Sequence, residues 1–211
     1  MEIDIAPETL GTEQGKSENL TEKWWLAPQD EAERNVLHAR NLEMFRKKYH
    51  GVYEALVAFT LKSKLVFGEN GQPDLEFADN LFYNGDIEGF TTRQLAKYWQ
   101  NPNRLHVNPP TPQSMDTLAA KFLHNMLQRM TADVGVEFSI GRTSSKSFYG
   151  LVMGVGLGRH LPEFIERTGC RNLFILDPNL EGFYHSLSLL DWEALLFEIQ
   201  SRNGDVFMYI G

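Results

Sequence analysis

Residues 149–179 read YGLVMGVGLGRHLPEFIERTGCRNLFILDPN: an apolar run, three glycines spaced two apart, an amphipathic stretch, and a second apolar run that stops at an acid. This pattern constrains the fold more than any other stretch. Short apolar runs bounded by glycine read as buried strands. A glycine turn leading into a helix makes a crossover to a parallel neighbour rather than a hairpin. The alternation continues, with apolar runs at 148–153, 173–176 and 206–210 and helical stretches at 159–168, 180–188 and 191–201. The expectation is an α/β βαβαβ unit, the first half of a Rossmann-like parallel sheet, with its strands buried on both faces. Gly169 suits a helix C-terminus, and Pro162 is tolerated in a first turn whose amides lack intrahelical partners.

The preceding residues have a different character. Residues 1–22 are polar and acidic, too poor in apolar side chains to offset the entropy of ordering, and read as a flexible leader that Trp24-Trp25 ties to the core. Over residues 31–59, Leu42, Phe45, Tyr49, Val52, Tyr53 and Leu56 recur at helical spacing, with Gly51 as the place for a break. Asn70-Gly71 between apolar runs signals a hairpin, Asn84-Gly85-Asp86 a second turn, and residues 88–100 a helix that ends before Pro102. The stiff Asn108-Pro109-Pro110-Thr111-Pro112 is a linker and helix cap. Met115, Leu118, Ala119, Phe122, Met126 and Met130 then predict a helix over 112–131, and residues 141–147 a hydroxyl-rich loop. The organisation expected is a leader (1–30), an N-terminal α+β domain of helices and a hairpin (31–140), and an incomplete Rossmann-like domain (141–211). Because the last apolar run ends where another crossover would begin, the expectation is the front part of a longer protein.

Composition removes several classes of function. A formal charge of −8, with no cluster of Lys and Arg, argues against nucleic acid as a partner. No run approaches eighteen apolar residues, and the N-terminus resembles no signal or transit peptide, so the expectation is a cytoplasmic protein with no membrane partner. Cys170 is the only cysteine, which excludes an internal disulfide and predicts a buried structural thiol. His38, His50, His106 and His124 share no ligand spacing, so no metal site is expected. His185, beside Tyr184, reads as packing, and residues 143–147 with Lys146 lack the glycine spacing of a phosphate-binding loop.

The glycine turn carries the chemistry. Gly154, Gly156 and Gly158 after a strand let the backbone approach a ligand, and the helix that follows offers unpaired N–H groups, an arrangement suited to an anionic nucleotide. Asp177, 19 residues past Gly158 at the end of the next strand, is placed to accept from ribose hydroxyls. The spacing is G-x-G-x-G followed by Arg159, which disfavours a nicotinamide dinucleotide and leaves S-adenosylmethionine open, as well as glycines kept only for packing. His160 reads either as a phosphate contact or as a first-turn residue.

MGVGLGRHLPEFIE, then NLFILDPNLEGFYHSLSLLDWEALL, resembles the central domain of the motility accessory factor (Maf) flagellin glycosyltransferases, and NLFY at 80–83 with the helix ending near Asn101-Pro102 resembles their N-terminal domain. The resemblance implies transfer, in the cytoplasm, of a nonulosonic acid of pseudaminic or legionaminic type from its CMP-activated form to Ser or Thr of flagellin. It implies no covalently bound cofactor. Flagellin is the implied acceptor partner, and a second copy of the chain is a further candidate. The implied donor-binding residues are Gly154, Gly156, Gly158, Arg159, His160, Asp177 and Asn179, with Arg159 standing where an aromatic is usual and Asp177 where Glu is. No catalytic base is identified, since Glu163 and Glu166 read as surface acids, and this stretch by itself is expected to be inactive. Three alternatives stay open: an ATP-dependent enzyme like the 6-hydroxymethylpterin diphosphokinases of the same superfamily, a methyltransferase, and a non-catalytic module in residues 30–140 that docks flagellin, its chaperone or a second copy.

Overall fold

The computed structural model describes residues 23–102 and 147–211, with single helical positions at Leu118, Lys121, Phe122, His124, Asn125, Gln128 and Arg129. Residues 1–22 of the expected leader, the proline linker, the rest of the 112–131 helix and the loop before Ser147 lie outside the described residues. The chain divides into two compact units, one of residues up to Ala96 together with Lys146–Gly211, the other Lys97–Ser145. The first unit therefore joins two stretches that the sequence separates at residue 141.

Helix α1 (Glu31–Lys48) starts at Asp30, whose carboxylate accepts from the Ala32 and Glu33 N–H groups. Its first turn carries Glu31 and Glu33 and its last Arg46, Lys47 and Lys48, each complementing the helix dipole. The expected single helix breaks at Tyr49 (φ −137°, ψ 64°), and Gly51 lies within α2 (His50–Ala58). The break keeps its hydrogen bonds: Tyr49 N–H donates to Phe45 O, and Tyr49 O accepts from Val52 and Tyr53.

An antiparallel sheet of β1 (Lys64–Phe67), β2 (Pro73–Phe77) and the two-residue β3 (Asn80–Leu81) follows, with Leu65 opposite Leu75. Its turn is at the expected Asn70-Gly71, with Gly68 N–H donating to Gln72 O. Buried Asp74 holds the sheet to the next turn by accepting from the N–H groups of Leu75, Tyr83 and Gly85. Helix α3 (Ile87–Gln100) begins where the sequence places it.

The second sheet is parallel, β4 (Tyr149–Met153), β5 (Asn172–Asp177) and β6 (Val206–Ile210) lying side by side in chain order. Helix α4 (Leu161–Thr168) joins the first pair; α5 (Leu180–Ser186) and α6 (Trp192–Ser201) join the second. The expected βαβαβ unit is present, and Gly169 ends α4 in the left-handed conformation with its N–H on Ile165 O. Burial on both faces is a correction. Gly150, Val152, Leu173, Ile175 and Val206 are buried, whereas Tyr149, Leu151, Met153 and Tyr209 on the opposite face are 57–78% exposed. Strand order explains this. Parallel crossovers are right-handed, so two successive ones that advance in one direction put their helices on one side.

Phe45, Phe183 and Trp192 form an aromatic cluster, with the Phe45 ring 5.6 Å from Phe183 and 5.8 Å from Trp192. Trp24 is 1% exposed, so the expected anchor is present. Its carbonyl accepts from Asp191 N–H, and Leu26 and Ala27 N–H both donate to Leu189 O. Asn41, fully buried on α1, donates to Leu187 O and Leu190 O and accepts from Trp192 N–H. Cys170 is buried as expected. Among the described residues, no helix is long and apolar enough to cross a membrane.

Candidate functional site

The glycine loop joins β4 to α4 at the C-terminal end of the parallel strands, the edge where open α/β sheets place ligands. Its three glycines do different work. Gly154 (φ +80°) has nothing within 4 Å of the position a Cβ would take, so it faces open space. Gly156 (φ +53°) is enclosed: a Cβ there would lie 2.5 Å from Tyr83 Oη, and a Cβ on Gly182 of α5 would lie 2.7 Å from Gly156 Cα. Only two facing glycines permit that approach of helix to loop. At Gly158 a Cβ would press Leu190 Cδ2 at 3.2 Å. The packing explanation thus accounts for Gly156 and Gly158, and the open face belongs to Gly154.

Asp177 ends β5 under the loop and is 3% exposed. Its Oδ2 accepts from Val155 N–H at 2.8 Å and its Oδ1 from Asn179 N–H at 3.0 Å. Burial raises its pKa, and those two hydrogen bonds pull it partway back. Asn179 caps α5 by accepting from Glu181 N–H. The structure therefore brings Gly154, Gly156, Asp177 and Asn179 together at one strand edge, with the carboxylate bracing the loop.

Arg159 and His160 bring no free positive charge to the loop. The Arg159 guanidinium is mostly buried, donates to Glu88 Oε1 of α3 at 2.6 Å and lies over the Trp25 ring at 5.6 Å. Its charge is matched within the fold. His160 sits at the cap position of α4 without making a capping hydrogen bond, and burial pushes its pKa down to about 4. The imidazole is neutral at pH 7 and brings no positive charge to an anion.

Two groups of residues near the loop carry no motif. Tyr83, just after β3, accepts from Leu157 N–H at 3.1 Å, and its ring shares a core with Leu75, Ile87, Leu157 and Leu189. Glu181, near the start of α5, accepts from the N–H groups of Lys62 and Ser63, each at 3.0 Å, and from the Ser63 hydroxyl. His185 Nε2 lies 3.0 Å from Ser63 Oγ. Burial raises the Glu181 pKa, but these donors outweigh it and hold the carboxyl below its ordinary range. With the hydroxyl proton given to Glu181, neutral His185 donates to Ser63 Oγ. The carboxylate bonds the serine and not the far side of the imidazole, which is the wrong order for a nucleophilic triad. The cluster is a buried tie between the approach to β1 and α5. No sequence spacing reports it, because its partners are 118 and 122 residues apart. Among the described residues, no three His, Cys, Asp or Glu side chains gather as metal ligands.

The model of the glycosyltransferase Maf N-terminal domain family matches residues 37–211. The chain is also similar to a solved Maf glycosyltransferase from Magnetospirillum magneticum AMB-1, with 28% identity and a TM-score of 0.59. That similarity covers 84% of this chain and 27% of the solved one, so the chain spans about a quarter of that relative's length. No curated protein matches.

Proposed function

Because the chain belongs to the Maf glycosyltransferase N-terminal domain family, we propose that it forms the donor side of a protein glycosyltransferase of flagellar biogenesis. The donor is a CMP-activated nonulosonic acid of pseudaminic or legionaminic type, the acceptor a Ser or Thr hydroxyl of flagellin, and the reaction runs in the cytoplasm before export. The acceptor oxygen bonds the anomeric carbon as the bond from that carbon to the phosphate oxygen breaks. CMP leaves with the electron pair, and the hydroxyl proton passes to a base not assigned among these residues.

In this reading the glycine loop receives the donor phosphate. Gly154 leaves its backbone open at the ligand edge of the sheet, whereas the first turn of α4 has little to offer, since Leu161 N–H is taken by Gly158 O and Pro162 has no N–H. Asp177 and Asn179 act from beneath: the carboxylate fixes Val155, its unshared lone pairs face polar groups of the donor, and Asn179 sets the start of α5. Arg159 and His160 lend the donor no free positive charge, because the first is paired to Glu88 and the second is neutral. The observation that carries the reading is the family match over 37–211, which contains this loop with one glycine open at the ligand edge of the sheet.

Thermal unfolding with CMP-nonulosonic acid, CMP, ATP and S-adenosylmethionine tests it. A ligand at about 100 times its dissociation constant adds about 2.7 kcal/mol, several degrees in midpoint for a chain of this size. The expected result is a shift with the CMP compounds alone, abolished by Gly154→Asp. A shift with ATP or S-adenosylmethionine alone, or none with the CMP compounds, overturns the donor assignment.

A further inference from the structure

The antiparallel sheet and the glycine loop share an apolar cluster, and one hydroxyl adds a hydrogen bond to the loop backbone. Tyr83 is held at both ends. Its N–H donates to Asp74 Oδ1 at 2.8 Å, and Asp74 is itself fixed by the Leu75 and Gly85 N–H groups. Its ring is met edge-on by Phe82 at 4.8 Å and by Phe90 at 5.1 Å between centroids. So placed, Oη accepts from Leu157 N–H at 3.1 Å and fills the space beside Gly156 where a side chain would begin. Gly182 packs on the same Gly156 backbone. The middle of the loop is thus clamped by Tyr83 and α5, while its Gly154 end is open.

We propose that Tyr83 is a positioning residue for the donor loop, by which the antiparallel sheet sets the loop's affinity for the donor phosphate. The inference rests on the donor reading given above. Tyr83 is 7% exposed and acts through Leu157 and Gly156 rather than on the ligand. Replacing it with Phe keeps the ring and its aromatic contacts but leaves the buried Leu157 N–H without an acceptor. Loop conformations that compete with the binding one then gain population, and the apparent dissociation constant rises by the inverse of the fraction still competent. One buried hydrogen bond corresponds to about a tenfold change.

The test uses the full chain as wild type, Tyr83→Phe and Leu37→Ala, the last removing a buried side chain of α1 that lies outside the loop and its supports. CMP binding is measured by titration calorimetry, and exchange of the Leu157 amide hydrogen by NMR. Y83F is expected to bind CMP about tenfold more weakly with faster Leu157 exchange, and L37A to melt earlier with wild-type affinity. Wild-type affinity in Y83F overturns the proposal. Equal weakening in L37A also overturns it, because the effect then follows stability and not loop position. If wild type itself does not bind CMP, the donor reading fails separately. Leu157 exchange then decides the clamp, and an unchanged rate in Y83F refutes it.

Discussion

The contact between Gly156 and Tyr83 predicts an energetic coupling that can be worked out in advance. In Gly156→Ala the new residue is forced into the left-handed region at φ +53°, which costs an L-residue roughly 1–2 kcal/mol. Its Cβ also arrives 2.5 Å from Tyr83 Oη, and the ring is held by Phe82 and Phe90. To make room the hydroxyl must leave Leu157 N–H, which costs about 1–2 kcal/mol more for a buried donor left without a partner. G156A alone should therefore lose about 2–4 kcal/mol. In a Y83F background the nearest ring atom is 3.8 Å away, ordinary contact, and the hydrogen bond is already gone. The same substitution then costs only its backbone part. Urea unfolding followed by circular dichroism on the four proteins should give a coupling of about 1–2 kcal/mol, well outside the roughly 0.3–0.5 kcal/mol scatter of independent sites. Additivity within that scatter would refute the clamp. Gly154→Ala supplies the contrast: with nothing within 4 Å, it should cost the same in both backgrounds.

Asn41→Ala removes the partners of two carbonyls and one amide in the core, and should lower unfolding free energy by roughly 3 kcal/mol or more in a denaturant titration. His160 titrates near 6.5 when unfolded and about 4 when folded, so the unfolded chain takes up the proton first. Its contribution is complete above pH 6.5 and declines as pH falls toward 4, by roughly 3 kcal/mol in all, with His38 and His185 acting in the same direction. Melting curves should show that loss, reduced in His160→Gln. Burial also raises the Cys170 thiol, so a thiol reagent at pH 8 should react slowly with folded protein and at the rate of a free cysteine once urea unfolds it.

Features written in neighbouring residues were legible in the sequence. The βαβαβ order followed from apolar runs and glycines, the hairpin from Asn70-Gly71, and the position of Asp177 from its distance to Gly158. Features made by distant side chains were not. Glu88, which takes up Arg159, lies 71 residues before it, and Tyr83 lies 74 residues before Leu157. Hydrophobic periodicity shows that a residue is buried without showing which polar group it meets. The half-covered sheet escaped for a related reason: apolar residues in a strand indicate faces able to be buried, whereas strand order decides which face the connecting helices reach. Tyr49, an aromatic that continues the apolar spacing, gave no local sign that the helix would break there rather than at Gly51.

The ties between α1 and the segment around Leu187–Trp192 govern how the chain can be made. Asn41 finds its partners 146, 149 and 151 residues later, and the Phe45 ring meets Phe183 at a tilt and Trp192 edge-on. During synthesis α1 can close on α2 as soon as that helix follows, but the face that meets residues 187–192 must wait until residue 192 is made. At translation rates of about 5–20 residues per second, that face stays uncovered for roughly 10–30 seconds. A piece cut near residue 140 would keep α1 and lose its seat.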